Sequence, residues 1–321
     1  MSRISKNYLK QIILGIKNEI YKLIPNTIYV KIYFKKKYGY NFDLYNPTTF
    51  NEKLWWLHIF NRDPLTTKCT DKVLVRQYVS NCGLTHILND VYAIYDTPED
   101  IDLANLPDEF FLKCNHLSGG NIWCQDKNTF SLRETKVKLR NLMKKNYYWS
   151  SREWNYKNIE PKIICEKVLE DESSQIGLID YRFFCFEGEA KFLCVDIDTC
   201  SDDGSHFSGA KRNVYDLNFK NLEIKLRRPN FDNTLIKKPK NFRSMIEYAN
   251  VLSKPFVACR VDFYNIDGKI VFGEITFHQG GAHDIEPSEY QYIWGDLMNL
   301  ESKKLVTDKR TRRKYKNVLT N

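Results

Sequence analysis

Two carboxylates in the run RVDFYNIDGKIVFGEITF, residues 260–277, are spaced to meet. Period-two alternation makes this run two strands joined by a turn at Asn265, Asp267 and Gly268. Asp262 lies near the start of the first strand and Glu274 twelve residues later, toward the end of the second. An antiparallel hairpin therefore sets them side by side, with Arg260 and Thr276 close to them. Adjacent like charges repel unless a cation lies between them, and hard ions such as Mg²⁺ take carboxylates together with phosphate oxygens. The alternative is a solvent-facing acidic hairpin with a satisfied core Glu.

Three other segments carry groups suited to a nucleotide. EFFLKCNHLSGGNIWCQD, residues 109–126, is an apolar strand bearing Lys113, then a Ser118-Gly119-Gly120 loop, then another strand. A lysine in an apolar strand is costly to bury unless it meets an anion, and paired glycines let backbone N–H groups approach phosphate oxygens. A plain glycine turn beside an exposed lysine is the competing reading. PKIICEKVLEDES, residues 161–173, is a strand running into Glu166-Lys167-Val168-Leu169 and then acidic residues; such an end can present amides to a base and a carboxylate to a ribose. In TDKVLVRQYV, residues 70–79, Lys72 falls in the first turn of an expected helix, an unfavourable place for a cation unless it reaches for an anion.

The elements that must position these groups follow from periodicity and breakers. Ile12, Ile13, Ile16, Ile20, Leu23 and Ile24 form the apolar face of a helix over 7–24 ended by Pro25. Thr49 and Glu52 make a capping box that opens a helix with Leu54, Leu57 and Phe60 inward. Thr70 is expected to cap a helix over 71–82, closed by Gly83. Strands are expected at 88–94, 109–115, 162–169 and 180–198, the last bent at Glu187-Gly188, with helices over 131–146 and 241–253 and a polar stretch at 199–240. The whole reads as α+β with mainly antiparallel sheets.

Composition narrows the classes further. A chain of 321 residues with 42% hydrophobic and 14% aromatic content can bury a large core and is not disordered. No apolar run reaches the roughly 18 to 20 residues that span a bilayer, and charges interrupt the N-terminal stretch, so neither a membrane span nor a secretory signal is expected. Nine cysteines without CxxC spacing, among them Cys165, Cys185, Cys194 and Cys259 on expected core strands, suggest reduced thiols and a cytoplasmic location. The net charge of +9 gathers at 31–40 and 301–317. No nucleic-acid-binding motif accompanies it, so nucleic acid is not expected as a partner; peripheral contact with a membrane surface stays open.

The order of these segments, TDK, then LK with a Ser-Gly-Gly loop, then ICEKVL, then RVDF and FGEIT, resembles the ATP-grasp enzymes. NPTTFNEKLWWL, TDKVLVRQYV, LPDEFFLKCNH, DYRFFCFEGEAK and the acidic hairpin make the likeness closest to the teichuronopeptide-biosynthesis (TupA-like) branch, over roughly residues 35–300. The resemblance implies the ATP-grasp fold, with nucleotide held between two antiparallel α+β subdomains. Region 1–65 would be helical, 66–300 catalytic (about 105–170 for the lysine and glycine loop, about 175–300 for the metal) and 301–321 a basic tail. It implies ATP and Mg²⁺ as cofactors: Lys72 and Lys113 on phosphates, Ser118, Gly119 and Gly120 as a flap, Glu166, Lys167, Val168 and Leu169 at adenine, and Glu170 or Glu172 at ribose. Asp262, Glu274 and Thr276 would hold the metal, with Arg260, Lys113 and Arg182 catalytic. Thr276 stands where the family usually has Asn, and Phe277-His278-Gln279-Gly280-Gly281 replaces the usual Pro-Gly. Asp180, Lys211 and Arg212 are candidate triphosphate or substrate contacts.

The implied activity is a carboxylate–amine ligase that forms an amide through an acyl phosphate. Its expected partners are an amino acid and an acidic sugar of cell-surface (capsular) polysaccharide synthesis. Two other readings compete. A glycosyltransferase would use Asp196-Ile197-Asp198 as an Asp-x-Asp motif, and a non-catalytic module would use the basic surface to bind polysaccharide or membrane. His278, His283 and Glu286 match zinc by residue type, though ordinary surface histidines are the expectation.

Overall fold

The computed structural model describes residues 22–171, 176–199, 209–282 and 289–307. Two antiparallel sheets organise it. Strands β1 (Val91–Tyr95), β2 (Phe110–Cys114), β3 (Ile122–Cys124) and β4 (Ile163–Glu166) pair in the order β1-β4-β2-β3. Strands β5 (Asp180–Phe186), β6 (Glu189–Ile197), β7 (Lys211–Tyr215), β8 (Ala258–Ile266) and β9 (Lys269–Thr276) pair in the order β7-β6-β5-β8-β9. Around them run helices α1 (Asn26–Tyr38), α2 (Phe50–Phe60), α3 (Pro64–Thr70), α4 (Leu74–Asn81), α5 (Leu132–Met143), α6 (Tyr148–Ser151), α7 (Phe242–Ser253) and α8 (Glu289–Asp296).

Period-two alternation explains how the larger sheet buries one face completely and the other by half. Phe183 and Cys185 of β5, Leu193 and Val195 of β6, and Val261 and Phe263 of β8 pack with Met245, Ala249 and Leu252 of α7 and Val79 of α4. Their neighbours along the strands point the other way. There Phe184, Phe186, Phe192, Cys194 and Val214 meet Trp294 and the aromatic helix α2. At the other end of that face the same alternation brings up Asp180, Arg182, Asp196, Arg212, Arg260 and Asp262. One sheet face is thus apolar at one end, where helices cover it, and charged at the other.

Helix α2 begins as its capping box requires: Thr49 Oγ1 accepts from Glu52 N–H, and the Glu52 carboxylate accepts from Thr49 N–H. It is buried almost all round rather than on one stripe, with only Lys53 outside the buried set. The basic run at 31–40 is largely the end of α1, which buries Val30 and Phe34 in the same aromatic cluster as Trp55. The helix expected over 7–24 lies almost wholly outside the described residues, as do 308–321 of the basic tail.

Four local expectations are corrected. Thr70 does not cap a helix; it ends α3, and its hydroxyl donates to Thr66 O. Asp71 performs the capping, its Oδ1 accepting from the N–H groups of Val73 and Leu74. Lys72 consequently sits in the turn before α4, not in its first turn, and the helix-dipole argument does not apply to it. The expected strand over 180–198 is a hairpin, because Glu187 and Gly188 both take positive φ (52° and 83°) and reverse the chain. The polar stretch contains β7, whose hydrophobic alternation is masked by Lys211 and Arg212 on its charged end.

Candidate active site

The acidic hairpin has the expected register. Asp262 lies opposite Glu274 and Arg260 opposite Thr276, and the reversal at Asp267-Gly268 places both turn residues at positive φ, as a tight right-twisted hairpin requires. A bulge between Asp262 and Phe263 makes Gly273 the extra residue, and a side chain there would meet Asp262 O at 3.1 Å.

Arg260 draws the cluster together. Its Nε and Nη2 donate to the two oxygens of Asp262 at 2.7 and 2.5 Å, and Nη2 also reaches Glu274 Oε1 and Thr276 Oγ1, both at 3.1 Å. Thr276 Oγ1 donates to Glu274 Oε1 at 2.7 Å. The cation that relieves repulsion between the carboxylates is therefore already supplied by the chain. Burial pushes Glu274 upward, but Arg260, Lys72, the Thr276 hydroxyl and Arg182 outweigh it and hold the carboxyl below its usual value. Its side chain is 52% exposed, so it lines an open cleft and does not belong to the core. Asp262, at 5% side-chain exposure, is pushed up by burial, and the Arg260 guanidinium opposes this only in part.

On the smaller sheet, Phe110, Leu112 and Cys114 pack inward with Ile163 and Cys165, so the residues between them face the other way. Lys113 is one of these, and its Nζ pairs with Glu166 at 2.7 Å across the β2–β4 ladder. Phe111 and Trp123 stack at 5.6 Å beside it. Lys72 lies within electrostatic reach of both sheets. Burial depresses its ammonium, Glu274 opposes that depression, and Lys113 and Glu166 also act on it. Lys72 Nζ donates to Leu117 O at 2.5 Å, at the root of the Ser118-Gly119-Gly120 loop. Both glycines take positive φ (81° and 76°), while Ser118 is exposed.

Beyond β4, the Lys167 amide donates to Asp90 O and its carbonyl accepts from Asn89 Nδ2. Its backbone is thus engaged by the chain itself. The next residues open into a cleft of about 340 Å³ lined by Leu169, Glu170, Asp171, Gly177 and Leu178. Val168 leads into it; Glu172 lies outside the described residues.

Arg182 stands on the central strand, its Nη2 donating to Asp180 Oδ2 at 2.8 Å and its Nε 3.9 Å from Asp262 Oδ2. Lys211 pairs with Asp198 at 3.4 Å. Asp196, expected as half of an Asp-x-Asp metal motif, is fully buried under arginines: Arg212 binds both its oxygens at 2.5 and 2.6 Å, and Arg228 reaches Oδ2 as well. Asp196 is thus the centre of a buried ion cluster, while Asp198, the other half of the motif, pairs with Lys211. His278 is not a surface histidine: it is 8% exposed, its ring lies 3.8 Å from that of His58, and burial followed by Arg62 pushes its pKa down to about 3. His283 and Glu286 lie outside the described residues.

Some residues were not singled out from sequence. Asn115, fully buried, joins Asp71 to β4: its Nδ2 donates to Asp71 Oδ1 and Glu160 O, and its Oδ1 accepts from Lys162 N–H. It fixes the lysine turn against the glycine loop. Glu153 is buried within the field of Glu274, and burial raises its pKa to about 8. A buried Asn after the lysine strand was the available signal for the first; for Glu153 there was none.

Solved structures with related folds include D-alanine–D-alanine ligase from Bacillus anthracis complexed with ATP. It is 17% identical with a TM-score of 0.42, over 75% of this chain and 65% of that one, so the chain spans about two thirds of that ligase. D-Ala-D-Ala ligase from Helicobacter pylori (13%, TM-score 0.39, 84% and 68% covered) and phosphoribosylamine–glycine ligase from Thermotoga maritima (10%, 0.41, 68% and 49%) are also similar. No curated protein gives a significant match. The sequence profile described as TupA-like ATPgrasp matches residues 52–299, which contain both sheets, the lysine turn, the glycine loop and the acidic hairpin. The chain accordingly belongs to the TupA-like ATP-grasp family and has the ATP-grasp fold.

Proposed function

We propose that this protein is an ATP- and Mg²⁺-dependent carboxylate–amine ligase that joins an amino acid to an acidic sugar in surface-polysaccharide synthesis. The observation that carries the reading is that the charge of Lys72 is felt both by Glu274 in the Arg260–Asp262–Glu274–Thr276 cluster of one sheet and by the Lys113–Glu166 pair of the other. The donor set fits the metal. Two carboxylates and a hydroxyl are hard oxygens, and Arg260 Nη2 lies within 3.1 Å of all three groups, so their geometry already accommodates positive charge. Asp262, Glu274 and Thr276 would hold Mg²⁺, which when bound supplies charge neutralisation for phosphoryl transfer.

The chain's own residues define the rest. Lys72 and Lys113 offer cations to the phosphates, Gly119 and Gly120 leave room for backbone donors above them, and the cleft at Leu169–Asp171 offers a place for the base. Arg260 faces the group in transfer with its charge preorganised. The substrate carboxylate attacks the γ-phosphorus, giving ADP and an acyl phosphate; the amine then displaces inorganic phosphate, releasing a proton and forming the amide. The role in surface-polymer synthesis rests on the family likeness, and the excess of basic residues suits acidic substrates. Among the described residues no helix is long and apolar enough to cross a membrane.

Two experiments test this reading. Calorimetry with ATP and Mg²⁺ is expected to show binding, and Lys113→Ala to weaken it by ~2 to 5 kcal/mol through loss of a desolvated phosphate contact. The absence of heat at millimolar nucleotide would sink the proposal. A panel of amino acids and uronic acids, read by ADP release and product mass, then identifies the pair. With the acid labelled by ¹⁸O, one labelled oxygen is expected in the released phosphate. Label retained wholly in the product would exclude the acyl phosphate, and pyrophosphate in place of ADP would indicate adenylation.

A further inference from the structure

The strand that carries Lys113 runs on into Asn115, His116 and Leu117, and each of these ties the root of the glycine loop to another part of the chain. Asn115 O accepts from Lys72 N–H at 3.3 Å, and its side chain donates to Asp71. Leu117 O accepts from Lys72 Nζ at 2.5 Å. Between them His116 makes a different connection. Its ring is 2% exposed, and Nε2 lies 3.1 Å from Lys145 O, two residues past the end of α5. The root of the loop is therefore gripped from two directions, by the lysine turn and by the end of α5.

The ring has two acceptors to serve and one proton to give. Burial, joined by Lys72, lowers the His116 pKa against the pull of the Lys145 and Leu142 carbonyls and of Asp71, so the imidazole is neutral near pH 7. Nδ1 faces Asn115 Oδ1 at 3.3 Å. That atom is an oxygen because it accepts from Lys162 N–H, while Asn115 Nδ2 donates to Asp71 and to Glu160 O. Nε2 is the closer of the two nitrogens to its partner, and a carbonyl can only accept, so the single N–H belongs on Nε2.

The far side of the loop rests on the same helix. A side chain at Gly120 would meet both methyl groups of Leu142 at 3.2 Å, and Gly120 φ is 76°. Glycine at this position lets the loop backbone lie directly on Leu142. Lys145 N–H in turn donates to Leu142 O at 3.0 Å, which closes the end of α5 beneath both contacts. The helix itself is fixed to the smaller sheet through the fully buried Leu139, in one core with Phe110, Leu112 and Cys114.

We infer that His116 is a positioning residue for the nucleotide: its bond to Lys145 O seats the glycine loop on the end of α5, so that the N–H groups of Gly119 and Gly120 meet the same phosphates as Lys72 and Lys113. The inference rests on the ligase reading and deepens it, because it names what holds the loop in place over the phosphates. A loop pinned at its root and tip gives up little entropy on meeting an anion, whereas a loose one has to be ordered by the ligand. His116 acts only through the loop. Its influence should therefore grow with the number of phosphates on the ligand and leave the base and ribose contacts untouched.

The test is calorimetry on the full chain with AMP, ADP and the non-hydrolysable nucleotide AMPPNP, each with Mg²⁺. His116→Phe keeps a buried ring but no donor; it is expected to weaken AMPPNP roughly tenfold, ADP less, and AMP by no more than about twofold. His116→Gln, whose amide nitrogen can donate to Lys145 O, is expected to recover most of the loss. Leu142→Ala removes the support under Gly120 without touching His116, and is expected to give the same ordering at smaller size. Unchanged AMPPNP affinity in His116→Phe, equal weakening of all three nucleotides, or a glutamine variant no better than the phenylalanine one overturns the inference. If His116→Phe does not fold, a Leu142→Ala protein that weakens AMP and AMPPNP alike, or neither, overturns it in its place. Failure of the parent protein to bind AMPPNP itself would instead overturn the ligase reading.

Discussion

Glu274→Gln is expected to lower turnover on the order of 10³-fold while nucleotide affinity falls much less, because the change removes charge without removing shape. Glu274 Oε1 accepts from Arg260 and Thr276, and a glutamine Oε1 can accept the same two bonds. The hairpin register depends on backbone pairing and on the buried apolar residues of β8 and β9, none of which is altered. What disappears is one of two carboxylates able to hold a divalent cation beside the phosphates. Asp262→Asn should cost turnover similarly but also stability, since both Asp262 oxygens are taken by a buried guanidinium that the amide would satisfy only partly. Steady-state ADP release on the identified substrate pair, with nucleotide titrations on both variants, separates the effects. Turnover in Glu274→Gln close to that of the parent would show the hairpin to be an architectural ion cluster.

The parts of this site that were legible in sequence are those in which local rules and function agree. The acidic hairpin alternates up to the bulge at Gly273, and Asp267-Gly268 marks its turn, so the pairing of Asp262 with Glu274 could be read from spacing. The capping box at Thr49 and Glu52 is likewise a local pattern with a local cause. Reading failed where one signal had two local solutions. Thr70 and Asp71 can both cap, and the carboxylate took the two amides while the hydroxyl bonded backward along α3. At Glu187-Gly188 the break was legible as a bend but not as a full reversal, because a non-glycine residue at positive φ leaves no mark in sequence.

A second kind of failure lies in the two-sided burial of the larger sheet. Strands β5, β6, β7 and β8 are apolar on the site face only where α2 covers it, and each becomes charged where that face lines the cleft. Polar–apolar alternation is thus confined to the charged end, and it gives way to an unbroken apolar run where α2 covers the face. In β7 the charged part is a large enough share of a short strand to hide it within a polar stretch. Arg228 is further from reach: it arrives from a segment beyond β7 and joins Asp196 across 32 positions of chain, which no local pattern encodes. Family likeness supplied the roles of Lys72 and Lys113; the structure adds that Asn115 and Asp71 bind the two lysine segments to each other.

The burial of Asp196 among arginines makes a prediction about stability that differs between Asp196 and its most exposed partner. Asp196→Ala is expected to destabilise the fold by ~3 to 5 kcal/mol, the usual cost of leaving buried charge uncompensated, and to lower Tm by about 5 to 15 °C. It would deprive the buried Arg212 of the carboxylate that binds it twice and leave Arg182 with Asp180 and, at 3.9 Å, Asp262. Arg228→Gln removes a cation from the partly exposed side of the cluster, so its cost should stay within about 1 kcal/mol. Protonation should mimic the aspartate change. Burial pushes the Asp196 carboxyl up, but Arg182, Arg212 and Arg228 together outweigh it and hold its pKa well below the usual carboxylate range. A depressed folded-state pKa contributes stability that is fully present above the unfolded value of about 3.9 and is lost as pH falls toward the folded value. Denaturant unfolding of the parent from pH 6 down to pH 3 should therefore show a decline below about pH 4 that Asp196→Ala lacks in part, the remainder arising from other paired carboxylates. An Asp196→Ala protein that unfolds at the parental temperature with the parental acid limb would mean that the arginines find solvent or other partners, and that Asp196 does not hold them in place.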